Sequence, residues 1–260
     1  MVNLKVVPVS ASSPFAYMIV GIITGLSSGL FGIRGALIGT PLLRVLAEMP
    51  PLLAVATPLP VAIPSAVSGA VMYWRRGYVD RDLVSKTLRL ALPMTVIRSL
   101  VTYWTPGVWL MVTTAVVLVY TGIAMVCKTS REGLNVAVSS NRRINVSISV
   151  AGFLAGFLAI GGGIVLVPVY VRWLGIPIHR ALATSLVCVA AMAIPGTLVH
   201  GVLGHIAWDA AVFVTLTAIP ASWFGARIAL QLKGRALELN YGVLLAFFGV
   251  WFFLRSLSTQ

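Results

Sequence analysis

Two glycine-rich stretches contain the residues whose types and spacing could do chemistry. Each stretch follows an apolar segment and precedes the predicted start of another helix, near Ala36 and near Ile164. A helix N-terminus presents unpaired N–H groups and a positive dipole end, and glycines let a ligand approach the backbone. We therefore predict an anion site made mainly of backbone, although the glycines could instead serve close helix packing. The site residues are Gly32, Gly35, Gly161, Gly162 and Gly163.

Two arginines are expected at membrane depth. Arg34 lies in the first glycine-rich stretch, where the second stretch has Gly161. A charged side chain inside a bilayer is costly, so Arg34 is a candidate for neutralising an anion. It could equally extend to the cytoplasmic edge of the membrane. Arg98 is a second candidate, with the alternative that it lies near the outer surface.

Hydroxyl and imidazole side chains supply the remaining candidates. Thr57, Thr184 and Ser185 open predicted helices and could donate hydrogen bonds to an anion, or could cap those helices. His200 lies near the outer end of its predicted helix. It could bind solute or titrate, but we favour a structural, hydrogen-bonded histidine.

The elements that must position these residues are membrane helices. Hydrophobic residues make up 59% of the 260 residues and charged residues only 10%, whereas soluble domains carry about 25% charged residues. Since roughly 20 apolar residues span a bilayer, the chain has room for about eight to ten segments. The composition excludes a soluble protein with a single anchor. The net charge of +13 is assigned to loops facing anionic lipid rather than to nucleic acid binding.

The chain contains an internal repeat with a constant offset of 127 positions. Most of the matched residues are small or turn-forming, which are the positions where backbone geometry is constrained. The matches include Gly25 with Gly152, Gly29 with Gly156, Gly35 with Gly162, Pro41 with Pro168, Thr57 with Thr184, Gly69 with Gly196 and Gly77 with Gly204. Two copies of one helical unit are therefore expected.

The predicted fold is an all-α polytopic membrane protein of two inverted-topology repeats. Each repeat is a helical hairpin of two short segments plus three transmembrane helices, and the glycine-rich stretches are the hairpin tips. Paired, interrupted apolar segments of this kind are typical of transporter binding sites. The expected boundaries are an N-terminal tail at 1–14, a first repeat at 15–127, a cytoplasmic basic linker at 128–144 and a second repeat at 145–256.

Orientation is predicted from the basic residues. The loop after the third segment contains Arg75, Arg76 and Arg81, and the central linker contains Arg142 and Arg143. Loops rich in Lys and Arg remain in the cytoplasm. Each half is expected to make an odd number of net crossings from the cytoplasmic linker. Both termini are therefore expected outside the cell membrane.

Acidic residues and enzyme motifs restrict the chemistry further. All six acidic residues are expected in or beside loops, so no buried proton or sodium relay is predicted. The chain has no His-Glu-x-x-His motif and no expected pair of mid-membrane aspartates. We predict that it is not an enzyme and that it needs no cofactor or metal.

Four motifs together resemble the signature of the sulfite exporter TauE/SafE family. They are GFLAG at 152–156, GGGIVLVP at 161–168, RALATS at 180–185 and PASWFGAR at 220–227. The likeness extends from about Ala16 to Leu254 and is strongest in the second half. Members of this family are permeases for sulfite, sulfonates and related organic anions, mostly exporters. The first repeat departs from the pattern, with Phe-Gly-Ile-Arg-Gly where the family has a glycine cluster.

The function expected from the residues and this resemblance is secondary transport of a small anion, in the export direction. The alternatives are an uptake permease with the same site, a passive channel and a non-transporting membrane scaffold. The expected partners are a small anionic solute and the lipid bilayer, and the sequence leaves the oligomeric state open.

Overall fold

The computed structural model describes residues 14–33, 35–101, 116, 119–126, 149 and 163–257, and these residues form helices joined by short loops, with no strand among them. Nine helices are numbered here in chain order. They are α1 (Pro14–Phe31), α2 (Ala36–Leu46), α3 (Pro51–Ala56), α4 (Pro58–Arg75), α5 (Arg81–Val101), α6 (Gly163–Arg172), α7 (Ile178–Val202), α8 (Trp208–Gln231) and α9 (Gly234–Leu257).

Helix length separates the spanning segments from the short ones. Four segments of the described chain are long and apolar enough to cross a membrane: Pro14–Phe31, Leu52–Arg75, Ile178–Val202 and Trp208–Gln231. Helix α2 is apolar but has only 11 residues, and 10 residues of the apolar helix α6 are described, since 151–162 lie outside the described residues. At 1.5 Å per residue α2 rises about 17 Å, roughly half of a hydrocarbon core of about 30 Å. Helix α2 therefore cannot cross a bilayer alone.

Helices α1 and α8 pack with their backbones in contact. Gly21, Gly25 and Gly29 follow one another at helical spacing, and a Cβ atom on any of them would collide with the backbone of α8. The partners are Val214, Ala218 and Ser222 in the same order, so the two helices run parallel. Small residues permit this approach, which maximises van der Waals contact between membrane helices.

Helix α4 lies against α8 and runs in the same direction, since Thr57 at its start bonds Ala207 just before α8 and Gly69 further along contacts Ser222. The Ser68 hydroxyl donates to the Ile219 carbonyl at 2.9 Å, and the Ser222 hydroxyl donates to the Ser65 carbonyl at 2.7 Å. The Tyr73 hydroxyl of α4 donates to the Gly29 carbonyl of α1 at 3.2 Å. These bonds join α1, α4 and α8 through groups that lipid could not satisfy.

Helices α4 and α7 are antiparallel, and their contacts are reciprocal. A Cβ atom on Gly69 would lie 3.3 Å from Leu186 Cδ1, and one on Gly196 would lie 3.7 Å from Leu59 Cδ1. Leu186 and Gly196 are 127 positions after Leu59 and Gly69. Each leucine of one half therefore packs on the matched glycine of the other half.

Two backbone N–H groups repeat this reciprocal arrangement. The Thr57 hydroxyl accepts from the Ala207 N–H at 3.2 Å, and the Thr184 hydroxyl accepts from the Asp80 N–H at 3.3 Å. Thr184 is 127 positions after Thr57, and Ala207 is 127 positions after Asp80. The two matched threonines thus bind the two matched loops.

The third apolar segment forms one helical span, as the sequence predicts for 53–74. Leu52–Arg75 is long and apolar enough to cross a membrane as one segment. Thr57 separates α3 from α4 but keeps helical dihedral angles, φ −57° and ψ −36°, and its N–H donates to the Leu53 carbonyl at 2.8 Å. The boundary is at Pro58, which has no N–H to donate within the helix. The matched residue in α7 is Ser185, and α7 is continuous.

We expect Gly25→Ala to destabilise the protein, because the new methyl group must push α8 away from α1. Overpacking of this kind costs about 1–3 kcal/mol. Gly196→Ala is the matched control, since its Cβ atom would have only ordinary contacts, 3.7 Å or more away. Thermal unfolding in detergent should give a lower Tm for Gly25→Ala alone. Equal Tm values for the two variants would contradict the backbone contact.

Candidate functional site

The two glycine-rich stretches meet inside the protein. Gly32 follows α1 with a φ of +60°, a conformation that favours glycine. The Ser185 hydroxyl of α7 lies 3.3 Å from the Gly32 carbonyl and 2.9 Å from the Leu182 carbonyl, and its one proton serves these two acceptors. A Cβ atom on Gly163, the first described residue of α6, would collide with the Gly32 carbonyl. The loop after α1 therefore lies directly against the first described turn of α6.

Tyr241 of α9 contacts both stretches. Its hydroxyl donates to the Gly163 carbonyl at 3.1 Å, and its ring lies edge-on to Phe31 with the centroids 6.1 Å apart. The side chain is fully buried. The sequence interpretation did not include Tyr241, yet a tyrosine inside an apolar segment signals a buried hydroxyl that needs a partner.

Gly35 and Thr57 line a small cavity on the other side of the first stretch. The cavity lies between α1, α2, α4 and α8, and we call it the hydroxyl-lined cavity because Thr24 and Ser65 also face it. None of its lining residues is charged. Gly35 precedes α2, and within the described chain no side chain caps the first turn of that helix. The N-terminus of α2, with its unpaired N–H groups, thus adjoins the cavity.

The hydroxyl groups of this region differ in what they can donate. The Thr24 hydroxyl donates to the Val20 carbonyl at 2.7 Å, and the Ser65 hydroxyl to the Ala62 carbonyl at 3.3 Å. The Ser28 hydroxyl, one turn after Thr24, is buried and has no hydrogen-bond partner among the described residues. The hydroxyl protons of Thr24 and Ser65 are therefore engaged by their own helices, whereas that of Ser28 remains available among the described residues.

The capping alternative for the three hydroxyl candidates is wrong. Thr184 and Ser185 lie inside α7, about two turns from its start, and Thr57 makes no side-chain capping bond. Ser185 belongs to the contact between the glycine-rich stretches. Thr184 lies elsewhere, against the loop that contains Asp80.

His200 is distant in the fold from the glycine-rich stretches, near the end of α7. Its Nδ1 atom lies 3.3 Å from Nδ1 of His205, and the two ring centroids are 5.5 Å apart. This pairing agrees with a hydrogen-bonded structural role for His200. Binding of solute by His200 is unsupported by this geometry.

The remaining candidates stay predictions. Arg34, Gly161 and Gly162 lie outside the described residues. Arg98 falls within α5, but its side chain is outside the described part of the structure.

The expectation that every acidic residue lies in or beside a loop is wrong for Glu238. Helix α9 begins at Gly234, so Glu238 is inside the helix, and its exposed fraction is only 8%. Residues three apart share a helix face, and Glu238 therefore lies on the face of Tyr241. Leu237, Tyr241 and Leu245 are buried and four residues apart, and this spacing is the signal that places their helix face inside the protein.

Comparisons with known proteins agree with a membrane transporter. The family model of the sulfite exporter TauE/SafE matches residues 17–252. A probable membrane transporter protein of Xylella fastidiosa strain 9a5c is 32% identical over 102 residues, which is 39% of each chain. The probable membrane transporter protein YunE of Bacillus subtilis strain 168 is 23% identical over 236 residues, 81% of this chain and 85% of YunE.

The match to the Xylella relative thus spans about two fifths of that protein, whereas the YunE match spans most of it. No solved structure matches the chain. The family match extends over most of the sequence, including both glycine-rich stretches and the helices that hold them. The chain therefore belongs to the sulfite exporter TauE/SafE family of membrane transporters.

Proposed function

We propose that this protein is a secondary transporter that exports small anions such as sulfite, sulfonates or related organic acids. The observation that carries the proposal is the direct contact of Gly32 with Gly163, where the glycine-rich stretches meet among helix starts. Backbone N–H groups at such starts bind anions without a permanent counter-charge. Family membership supports membrane transport, while the choice of anion and the direction of transport rest on the proposal.

The two halves, 15–127 and 145–256, are proposed to be inverted repeats joined by the linker at 128–144 and preceded by a tail at 1–14. The reciprocal packing of Leu59 on Gly196 and Leu186 on Gly69 supports this arrangement. Contacts that recur with the partners exchanged are the mark of a two-fold relation. The matched helices α4 and α7 are antiparallel, as inverted topology requires.

The proposed orientation puts the basic loop after α4 in the cytoplasm. Helices α1 and α8 run parallel, so the start of α1 is on the same side as Trp208, opposite that loop. The N-terminus is therefore proposed to be outside. The inverted second half brings the C-terminus to the same side of the cell membrane.

The depth of the glycine-rich stretches can be counted along α7. Its reciprocal contacts with α4 are centred near Ala191, which should be the membrane midplane. Gly32 contacts Ser185 and Gly163 contacts Val189. At 1.5 Å per residue these positions are about 9 Å and about 3 Å from the midplane. Such depths support a site within the membrane rather than at its surface.

An anion at this depth loses most of its hydration and must be stabilised by the protein. The unpaired N–H groups at the start of α2 provide part of that stabilisation. Arg34 is proposed to add a full positive charge beside them. An anion leaving a cell with a negative interior gains about 2.3 kcal/mol per charge per 100 mV. The membrane potential can therefore drive export without a coupled ion.

We expect a selective rise in Tm when the purified protein is heated with sulfite or another sulfur oxyanion. The panel is sulfite, sulfate, thiosulfate, sulfoacetate, acetate and chloride. A ligand at a hundred times its Kd adds about 2.7 kcal/mol to stability. Arg34→Ala should abolish the shift, whereas Arg44→Ala, at the exposed far end of α2, should preserve it. A lack of shift with every anion would favour the membrane scaffold instead.

Tyr241→Phe should weaken anion affinity about fivefold, because the loss of one hydrogen bond frees the Gly163 carbonyl and loosens the site. Tyr73→Phe is the matched control, since it also removes a buried tyrosine bond to a glycine carbonyl, at Gly29. Both variants should lose a similar amount of thermal stability. The measurement is concentration-dependent anion flux into proteoliposomes. An equal effect of both variants on affinity would reduce Tyr241 to a structural role.

The proposed orientation can be measured with cysteines at matched positions. Arg76→Cys and Leu203→Cys are both exposed and differ by the 127-residue offset. An impermeant maleimide added to intact cells should label Leu203→Cys only, and permeabilised cells should label both. Labelling of Arg76→Cys in intact cells would reverse the orientation, and labelling of both would refute inverted topology.

A further inference from the structure

The hydroxyl-lined cavity has a counterpart in the other half of the protein, and there the space is filled. The cavity is on the side away from the basic loop, since its α4 residues are in the first half of that helix. The residues that the 127-residue offset matches to its lining are on the side of the basic loop. The matched pairs are Gly39 with Leu166, Leu43 with Tyr170, Val61 with Cys188, Ser65 with Met192 and Val214 with Thr87.

The residues that fill the counterpart are larger or more polar than those of the cavity. Leu166 takes the place of a glycine and Tyr170 takes the place of a leucine, and both are fully buried. The Tyr170 hydroxyl is 2.7 Å from the Thr87 hydroxyl, which joins α6 to α5. Cys188 of α7 is fully buried in the same core cluster as Tyr170. A small polar cluster thus closes this side within an otherwise apolar core.

We propose that Thr87 and Tyr170 form the cytoplasmic gate of the transport pathway, with the hydroxyl-lined cavity as its outward-side equivalent. This inference rests on the proposed inverted-repeat transporter. In the structure a small cavity remains on the outward side, whereas larger buried side chains occupy the matched positions on the cytoplasmic side. Opening the gate separates the Tyr170 hydroxyl from Thr87 and moves the end of helix α6. An anion could then reach Gly163 and Ser185 from the cytoplasm.

The polar nature of the cluster suits a gate. When an apolar seal opens, it must expose hydrocarbon surface to water. When a hydroxyl pair opens, each hydroxyl can exchange its partner for water or for the passing anion at little net cost. The matched cavity, which contains Leu43 and Val61 in place of Tyr170 and Cys188, has no such pair.

Cys188 is a built-in reporter of this gate. The chain has two cysteines, Cys127 and Cys188. Cys127→Ser therefore leaves Cys188 as the single thiol. We would measure its reaction with an impermeant methanethiosulfonate in inside-out vesicles. Thr87→Val keeps the side-chain shape and removes the hydroxyl. It should accelerate labelling about fivefold, the effect of one hydrogen bond on an opening equilibrium. Tyr170→Phe should act in the same direction.

The matched control is Val61→Cys in a Cys127→Ser, Cys188→Ser background. It should react from the outward side in right-side-out vesicles, and Thr87→Val should leave that rate unchanged. The gate is refuted if Thr87→Val and Tyr170→Phe leave Cys188 labelling unchanged. It is also refuted if Cys188 reacts equally from both sides, or if Val61→Cys accelerates as much as Cys188, which would indicate general loosening. The labelling needs no substrate. A lack of anion flux while the labelling still differs between the two sides would refute the proposed transport of that anion and not the gate.

Discussion

The close approach of α1 to α8 is the constraint on which the rest of the structure depends. Helices in lipid gain little from the hydrophobic effect, so backbone contact and satisfied polar groups must hold them together. Gly25 and Gly29 let α1 lie on the backbone of α8, and α1 ends at the glycine-rich stretch. A displacement of α1 would therefore separate Gly32 from Ser185 and from Gly163.

Irregular backbone inside a membrane must have its polar groups satisfied by protein. The carbonyl of Gly32 is bonded by Ser185, and that of Gly163 by Tyr241. These side chains come from α7 and α9, two helices that are distant in sequence from the first stretch. The carbonyls are thereby fixed, while the start of α2 is left uncapped among the described residues. The same arrangement that stabilises the turns leaves the start of α2 for the proposed anion.

The sequence predicted those features that depend on local pattern. The short helix α2 follows from a short apolar run beside glycines, and the family follows from four ordered motifs. The role of Tyr241 could not be predicted, because its partner Gly163 is 78 residues away and no spacing rule links them. The span Leu52–Arg75 was predictable because hydropathy is continuous across Pro58, and Thr57 keeps helical dihedral angles there.

Differences between the halves have their own physical meaning in an alternating-access mechanism. Two identical inverted repeats would give inward-facing and outward-facing states of equal free energy, apart from the effect of the membrane potential. In the proposed gate, the tyrosine in the place of Leu43 adds the Tyr170–Thr87 bond to the state that is closed towards the cytoplasm. One such bond contributes about 1 kcal/mol, which changes a two-state ratio about fivefold. That bias favours closure towards the cytoplasm and still leaves the other state populated, as a transporter that must use both states requires.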